Sequence, residues 1–319
     1  MKIVITDGKT LNPGDLEWAP LEHFGRVSVY DNTQPDQLIE RCHDADILLT
    51  NKVVINAGSM VQMESLKLIV VTATGVNNVD LKAAARQQVT VCNVPGYGTE
   101  AVAQHTFALL FALTNRVAHH SRAVHHGKWT HLNNWTFWNY PLTTLGGKTM
   151  GIIGMGSIGK KVAEIAQALG MHVVGYHPDP NYQKAAGIEV LPLDELLTQS
   201  DVVSLHAPLT GTNYHLIDAK KLSIMKPNAI LLNTARGQLI DETALASALR
   251  NYHIGGAGLD VLENEPPAID NPLMGLDNCI ITPHNAWASI ESRHRLMQIA
   301  IDNVSNFIAG TPTHVVTAS

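Results

Sequence analysis

The chain has 319 residues, of which 45% are hydrophobic and 16% are charged, and its formal net charge at pH 7 is −6. Because a single hydrophobic core rarely grows beyond about 250–300 residues, this length predicts two domains. The acidic balance argues against a nucleic-acid or membrane-surface partner, and three distant cysteines, Cys42, Cys92 and Cys279, argue against a disulfide framework and favour the reducing cytoplasm.

The first part of the chain predicts a β-sheet. Five apolar segments indicate five strands: MKIVITD, RVSVYD, ADILLT, LKLIVVTAT and VTVCNV. The N-terminus is too short in apolar length for a signal peptide. Residues 100–116 then predict a helix that links the domains. The apolar stretch within this helix is interrupted by Gln104 and His105, so no membrane span is expected.

A group of histidines follows the linking helix: His119, His120, His125, His126 and His131. No spacing between the two histidine pairs is i, i+4 on one helix face, and no Cys or Glu joins them, so a metal site is not expected. The segment indicates instead a polar arm that is partly interfacial.

The stretch GIIGMGSIGKKVA contains Gly154, Gly156 and Gly159 in the spacing G-x-G-x-x-G. It connects a predicted strand at residues 149–153 to a helix and then to a strand at residues 171–176, which is the context of a dinucleotide-binding loop. The three glycines would permit a tight turn, close approach of a phosphate, and close packing of the helix on the strand. The alternative is a glycine-rich turn that binds no ligand.

The second strand of such a unit usually ends in an Asp or Glu that binds the ribose of NAD, and here that residue is His177. Asp179 lies two residues later, and Lys184 is the nearest base. The 2′-phosphate of NADP favours an Arg or Lys. NAD is therefore expected, with NADP possible because His177 replaces the usual acid. The alternative is that His177 is an exposed loop residue.

Further apolar runs predict the remaining strands of a parallel sheet covered by helical stretches such as LSIMK and ETALASALR: residues 201–205, 229–232, 255–259 and 279–281. Ligands of such a sheet bind outside the carboxyl ends of the strands. Arg236, Asp260 and His284 follow three of these strands, and Glu265 lies on the loop after Asp260. These four side chains are expected at one crevice.

This set suits the reduction of a 2-keto acid. Arg236 can bind the carboxylate and polarise the ketone through a bidentate fork. His284 can donate the proton, and Glu265 can hold the imidazole ring and stabilise its charged form. Asp260 can accept a hydrogen bond from the cofactor's carboxamide or from neighbouring groups. Taken singly, each of these residues could instead be a surface ion pair or a solvated side chain.

Four segments resemble, in their order and spacing, the signatures of the D-isomer-specific 2-hydroxyacid dehydrogenases: the glycine motif, LLNTARGQLIDETAL, GAGLDVLENEPP and ITPHNAWAS. The resemblance covers essentially the whole chain. The resemblance implies an α/β fold with two doubly wound parallel-sheet domains. A Rossmann nucleotide-binding domain, residues 100–287, would be inserted into a flavodoxin-like substrate domain formed by residues 1–99 and 288–319. The helical periodicity of residues 288–308 agrees with a return to the first domain.

The resemblance implies Arg236, Glu265 and His284 as catalytic residues. Together with the strand ends, it gives the expected cofactor-binding set: Gly154, Gly156, Ser157, Ile158, Gly159, His177, His206, Pro208, Thr234, Ala235 and Asp260. The backbone of Thr74 and Gly75 resembles the family's loop for the substrate carboxylate. The alternative for that loop is an ordinary strand-to-helix turn capped by Asn77 or Asn78.

The segments DGKTLNPGDLEWAPLEHFG, TNK and WTFWNYPL resemble the glycerate dehydrogenase (hydroxypyruvate reductase) branch. This implies a homodimer that reduces hydroxypyruvate or glyoxylate to the D-2-hydroxy acid and catalyses the reverse oxidation. Lys52 would add positive charge to the substrate pocket. Trp138 would lie near the partner subunit's active site, or serve only in dimer packing. Pyruvate or phosphohydroxypyruvate as substrate, and a non-catalytic NADH-sensing corepressor, are the alternatives.

Overall fold

The computed structural model describes residues 1–179 and 187–318. The chain divides into two compact units, one formed by Met1–Gly98 with Ala288–Ser319 and the other by Thr99–Trp287. Each unit contains one β-sheet in which all paired strands are parallel. The predicted α/β fold class with two parallel sheets is therefore confirmed.

The strands of the described residues are β1 (Lys2–Ile5), β2 (Arg26–Val29), β3 (Ile47–Thr50), β4 (Leu68–Val71), β5 (Thr90–Cys92), β6 (Thr149–Ile153), β7 (His172–Tyr176), β8 (Glu189–Val190), β9 (Val202–Leu205), β10 (Ile230–Asn233), β11 (Gly256–Leu259) and β12 (Cys279–Ile281). The α-helices are α1 (Gly8–Leu11), α2 (Leu38–Cys42), α3 (Ala57–Val61), α4 (Leu81–Arg86), α5 (Thr99–Asn115), α6 (Val117–His125), α7 (Lys128–His131), α8 (Ser157–Ala168), α9 (Leu193–Gln199), α10 (Ala219–Ile224), α11 (Glu242–Arg250) and α12 (Ile290–Ile308). Short 3₁₀ helices lie at Ala19–Phe24, Pro35–Gln37 and Gly237–Leu239.

The sheet of the first unit has the strand order β2-β1-β3-β4-β5. Its central strands, ILLT and LIVV, are buried along their whole length, because helices cover both faces of a parallel sheet and leave no solvent side. The five strands predicted in this part of the chain are confirmed. The last helix, α12, packs on β4, and its first turn is capped by Ser289, whose hydroxyl accepts from the Ser292 N–H at 3.2 Å.

The sheet of the second unit has the order β12-β11-β10-β9-β6-β7-β8. The direction of the strand order reverses between β6 and β9, so the loops that follow these two strands diverge and leave a crevice at their carboxyl ends. The predicted strands agree with the observed ones to within one residue. β8 and α9 were not predicted. The helix expected at LSIMK begins earlier, at Ala219, because Asp218 caps it by accepting from the Lys221 N–H at 2.8 Å.

Helix α5 lies close on the second sheet because β11 has the sequence GAGL. A Cβ at Gly258 would lie 3.0 Å from the Leu109 side chain, and one at Gly256 would lie 3.2 Å from Leu113. Both leucines belong to α5 and to the buried core cluster on that face. The two glycines therefore set how closely α5 packs on the sheet. This packing also fixes where the first turns of α5 lie relative to the strand ends.

None of the described helices is both long enough and apolar enough to cross a membrane.

Candidate active site

The glycine loop occupies the crevice between the ends of β6 and β9. Gly154 has φ +101°, and a Cβ there would lie 2.6 Å from the backbone of His206 and of Ala207. A Cβ at Gly159 would lie 2.1 Å from the Gly154 carbonyl oxygen. By contrast, no heavy atom lies within 4 Å of a Cβ built on Gly156. The loop is thus tightly packed on the protein side and open at Gly156.

The open side of the loop is where α8 begins, with Gly156 as its N-cap. The first N–H groups of a helix have no partner within the helix, and its dipole favours an anion at this end. Open backbone at the start of a helix of 12 residues fits the pyrophosphate of a dinucleotide. The residues present therefore fit the predicted cofactor, with Ser157 and Ile158 supplying the first N–H groups of the helix.

His177 follows β7 and is half-buried. Its Nδ1 accepts a hydrogen bond from the Asp179 backbone N–H at 3.1 Å. An imidazole that accepts at Nδ1 carries its hydrogen at Nε2, and such a ring can donate to a ribose hydroxyl. Lys184, the base that the sequence offers nearby, lies outside the described residues.

His206 and Thr234 lie at the ends of β9 and β10. The His206 Nε2 and the Ser204 hydroxyl are 2.8 Å apart, and burial lowers the pKa of His206 to about 3, so the ring is uncharged at neutral pH. Within the described part of the chain, its buried Nδ1 has no hydrogen-bond partner. The Thr234 hydroxyl lies 3.2 Å from that of Thr106 in α5. Pro208 and Ala235, in the same loops, are at least partly exposed.

His284 and Glu265 are in hydrogen-bonding contact, with Nδ1 and Oε2 2.6 Å apart. The other carboxylate oxygen, Oε1, accepts from the Leu262 N–H at 3.1 Å. The two side chains are 25% and 33% exposed. Because Glu265 is held through both oxygens and occupies Nδ1, the His284 ring presents Nε2 for proton transfer to a ligand.

The backbone of His284 is in the left-handed region, with φ +51°, which is uncommon for a residue other than glycine. Its N–H donates to the Asp260 carbonyl at 2.8 Å, and its carbonyl accepts from the Trp287 indole N–H at 2.9 Å. These bonds hold the turn that orients the imidazole towards Glu265.

Asp260 has a buried carboxylate that organises the same turn. Its Oδ1 accepts from the Thr282 hydroxyl at 2.6 Å and from the Asn285 N–H at 3.0 Å, and its Oδ2 accepts from the Ala286 N–H at 2.9 Å. Two roles are expected for Asp260, and in the structure it accepts hydrogen bonds from neighbouring protein groups. Its contact with a cofactor stays a prediction.

Arg236 follows β10 in a turn built around Asn233. The Asn233 side chain accepts from the Ala235 N–H and donates to the Arg236 carbonyl, both at 2.9 Å. The half-buried guanidinium is held by Nη1, which donates to the Ala235 carbonyl at 2.6 Å. A guanidinium has five N–H donors in a planar fork, so one such bond fixes its direction and is compatible with bidentate binding of a carboxylate.

The turn with Arg236 packs against the loop that carries Glu265. A Cβ at Gly237 would lie 1.9 Å from the Leu262 carbonyl carbon, and the Gln238 amide donates to the Glu263 carbonyl at 2.7 Å. Only a glycine permits this approach of two backbones. The packing therefore places the backbone that carries Arg236 beside the loop that carries Glu265.

Replacing Gly237 by Ala is expected to lower the free energy of unfolding of the protein by about 1–3 kcal/mol, because the methyl group overlaps backbone that cannot move away cheaply. The change is measured as the shift of the urea denaturation midpoint. Gly211→Ala is the matched control, since a Cβ at Gly211 meets no heavy atom within 4 Å. Equal midpoints for the two variants would contradict this account of the packing.

The first unit carries the predicted residue Lys52 on the loop after β3. The buried carboxylate of Asp7 accepts from the backbone N–H groups of Asn51 at 2.9 Å and Lys52 at 2.6 Å. The loop is thus fixed through its backbone, while the Lys52 residue is exposed.

Thr74 and Gly75 follow β4. The Thr74 hydroxyl donates to the Val94 carbonyl at 3.0 Å, which fixes the start of the loop. The alternative of a helix cap at Asn77 or Asn78 is wrong. Helix α4 begins later and is capped by Asp80, whose carboxylate accepts from the Ala83 N–H at 2.9 Å.

The histidine-rich segment folds into α6 and α7 and is followed by an extended stretch. His119 lies 2.8 Å from the Asn139 amide, and its ring stacks edge-on with Tyr140 at 5.0 Å between centroids. In the ranges 1–179 and 187–318, no group of three His, Cys, Asp or Glu side chains is placed to hold a metal ion. Trp138, in the extended stretch, is 65% exposed.

Two polar residues near the candidate site were missed from the sequence. His105 entered only as an interruption of an apolar stretch, and Thr282 only as part of a motif. Both contact the Asp260 region, as the His105 Nε2 lies 3.0 Å from the Thr282 hydroxyl. These residues are 177 positions apart, so no local spacing could have signalled the contact.

Comparison with known proteins agrees with this geometry. The model of the NAD binding domain of D-isomer specific 2-hydroxyacid dehydrogenases matches residues 107–286. A hydroxypyruvate reductase of Blautia hydrogenotrophica is 45% identical, and a glycerate dehydrogenase of Methylorubrum extorquens is 42% identical, each over 99% of both chains. The solved structure of a D-lactate dehydrogenase from Escherichia coli is similar with a TM-score of 0.85 and 30% identity, over 99% of this chain and 100% of that one.

Proposed function

The chain belongs to the D-isomer-specific 2-hydroxyacid dehydrogenase family, and from this membership we propose that it reduces hydroxypyruvate to D-glycerate with NADH. It is an oxidoreductase that uses a nicotinamide cofactor to reduce small 2-keto acids and to oxidise the 2-hydroxy acids in reverse. The observation that carries the assignment is the contact of 2.6 Å between His284 and Glu265, beside the turn that presents Arg236.

In the proposed mechanism, Arg236 binds the carboxylate of the keto acid and polarises the ketone. The Nε2 of His284 gives a proton to the ketone oxygen, and Glu265 fixes the ring through Nδ1. A nicotinamide cofactor bound at the glycine loop would supply the hydride to C2. The backbone N–H groups of Thr74 and Gly75 are proposed as substrate-binding groups. Lys52 is proposed to add positive charge near the substrate.

The proposed cofactor site consists of the glycine loop with Ser157 and Ile158 for the pyrophosphate, and the strand-end residues His206, Pro208, Thr234, Ala235 and Asp260. Two observations support it: the open backbone at Gly156 and the unpartnered, buried Nδ1 of His206, among the described residues. His177 is proposed to contact the ribose of the adenosine half. We propose NAD rather than NADP because the His177 Nδ1 accepts from the Asp179 backbone N–H, which leaves Nε2 to donate to a ribose hydroxyl.

Replacing His177 by Asp is expected to lower kcat/KM with NADPH by about tenfold or more, because a carboxylate repels the 2′-phosphate. The value with NADH is expected to stay equal or to rise, since Asp accepts both ribose hydroxyls. Initial rates with each cofactor measure the ratio. His172→Asp makes the same charge change at the exposed start of β7 and is expected to leave the ratio unchanged. An unchanged ratio in His177→Asp would remove His177 from the cofactor site.

The substrate proposal is tested by initial rates of NADH oxidation with hydroxypyruvate, glyoxylate and pyruvate. The expected order has hydroxypyruvate first. A pocket discriminates between substrates that differ by one small group by only about 1–3 kcal/mol. Measurable turnover is therefore expected with all three keto acids. Higher turnover with pyruvate would overturn the substrate assignment and keep the mechanism. Tight NADH binding without turnover of any of them would favour a sensor protein.

We also propose a homodimer. The segment of residues 117–142 exposes large apolar side chains: Val117, Val124, Trp129, Leu132, Trp135, Trp138 and Leu142. Trp135 alone is 84% exposed. A concentration of exposed apolar surface of this kind is typical of a protein interface. Light scattering coupled to size exclusion is expected to give twice the chain mass, and a monomer mass would contradict the proposal.

A cytoplasmic location is proposed from the thiols. Cys42, Cys92 and Cys279 are unpaired, and burial raises their pKa to about 12, 11 and 12. Thiols held in the protonated form are not reactive nucleophiles, and three thiols outside any disulfide support the proposal of a reducing compartment.

A further inference from the structure

His105 lies in the second turn of α5 and reaches the end of the second sheet. Its Nε2 is 3.0 Å from the Thr282 hydroxyl and 3.5 Å from the Asp260 Oδ1. The Thr282 hydroxyl is in turn 2.6 Å from the same carboxylate oxygen. The His105 side chain is only 22% exposed, so it is not a solvated surface histidine.

The directions of the hydrogen bonds among His105, Thr282 and Asp260 follow from the donors available. A carboxylate accepts and a hydroxyl has one hydrogen to give. The Thr282 hydrogen therefore goes to Asp260, and the Thr282 oxygen must accept from His105. The His105 ring consequently carries a hydrogen at Nε2. His105 of α5 thus donates to Thr282, and Thr282 donates to the buried carboxylate of Asp260.

Asp260 transmits this contact to the proposed proton donor. Its carboxylate accepts from the N–H groups of Asn285 and Ala286, the two residues after His284. Its carbonyl accepts from the N–H of His284 itself. The left-handed backbone of His284 costs energy for a side chain of this type, so it persists because these bonds hold it. A shift of the Asp260 carboxylate would move the His284 ring.

The position of His105 depends on how closely α5 packs. The glycines of β11 let α5 approach the sheet, and the next residue, Thr106, contacts Thr234 at the end of β10. The helix is thus anchored on two strand ends at once. His105 contributes the contact on the side of the His284 turn.

We propose that His105 is a positioning residue for the reaction, which acts on His284 through Thr282 and Asp260. The proposal rests on the proposed role of His284 as proton donor. His105 fixes the carboxylate that shapes the His284 turn, and it takes no part in the chemistry. Its loss misplaces the proton donor without removing any group that binds the cofactor.

The first test compares His105→Leu with His105→Gln and His105→Asn. A misplacement of about 1 Å can reduce a rate by about 10²-fold, so His105→Leu is expected to lower kcat by about 10- to 100-fold. The dissociation constant of NADH, measured by fluorescence titration, is expected to change far less than kcat, because the glycine loop is untouched and only the Asp260 contact is displaced. His105→Gln is expected to recover most of kcat, because its amide nitrogen reaches about as far as Nε2. The shorter Asn is expected not to recover it.

The matched control is Gln104→Leu, an exposed neighbour on the same helix, which is expected to keep the full rate. The second test is Thr282→Val, which removes only the linking hydroxyl. The kcat of Thr282→Val is expected to fall as much as that of His105→Leu. The kcat of the double variant is expected to fall no further, because both changes break the same series of hydrogen bonds.

The outcomes separate this proposal from the proposed function. If the unaltered chain turned over no keto acid, the proposed function would fail and the role of His105 with it. If the unaltered chain were active but His105→Leu kept its kcat, or Asn restored activity as well as Gln, only the role of His105 would be overturned. Additive losses in the double variant would also overturn it.

Discussion

Replacing His284 by Ala is expected to lower kcat for keto-acid reduction by about 10²- to 10⁴-fold, the usual contribution of a positioned general acid. The Nδ1 of His284 is occupied by Glu265, so Nε2 is the nitrogen that meets the ketone oxygen. Without it, the proton must come from water. The affinity for NADH is expected to remain, because the glycine loop is untouched.

The backbone of His284 requires a second variant. Ala in a left-handed conformation is strained by about 1–2 kcal/mol, whereas Asn tolerates this region. His284→Asn is therefore expected to fold as stably as the unaltered chain and to be as inactive as His284→Ala. Single-turnover rates measure the loss. His172→Ala, an exposed histidine on β7, is the control and is expected to be fully active. A His284→Asn variant with near-normal kcat would remove His284 from the proton-transfer step.

Replacing Arg236 by Lys is expected to reduce kcat/KM by about 10²- to 10³-fold, similar to the loss of one transition-state donor elsewhere. Lys keeps the charge but has no planar fork, so it cannot bind the carboxylate and polarise the ketone together. Part of the loss is expected in kcat, since charge develops on the ketone oxygen only in the transition state. The rest is expected in KM for the keto acid.

The steady-state constants of Arg236→Lys separate the two effects. Arg250→Lys is the matched control, because the guanidinium of Arg250 also donates to a backbone carbonyl, that of Pro272 at 2.6 Å, but is exposed on α11. It is expected to keep normal constants. A raised KM for NADH with an unchanged KM for the keto acid would place Arg236 at the cofactor instead of the substrate.

Much of the fold could be predicted because its signals are local. Buried parallel strands are continuous apolar runs, and a helix on a sheet repeats its apolar residues every three to four positions. The glycine spacing is explained in part by packing, because a Cβ at Gly154 or Gly159 would overlap neighbouring backbone, whereas the space at Gly156 is open. The rule that ligands meet the carboxyl ends of strands then selected Arg236, Asp260 and His284.

Local signals were weaker where several residues competed for one role. Asn77, Asn78 and Asp80 are all good N-cap residues, and the sequence does not state which of them precedes the first helical residue. The structure selects Asp80. Its carboxylate accepts from the Ala83 N–H at 2.9 Å, immediately before the first helical residue, Leu81.

Local sequence patterns predicted the strands of both sheets, the glycine loop and the polar residues at the strand ends, because each of these depends on neighbours in the chain. The contacts that hold the strand-end residues in place could be seen only once the chain was folded. His105, Asp260 and Thr282 come from three distant segments, yet they meet within hydrogen-bonding range of one another. The close packing of Gly237 on the Leu262 backbone is likewise invisible in a spacing. Contacts between distant segments depend on how helices and loops pack on the completed sheet, and no local pattern records that.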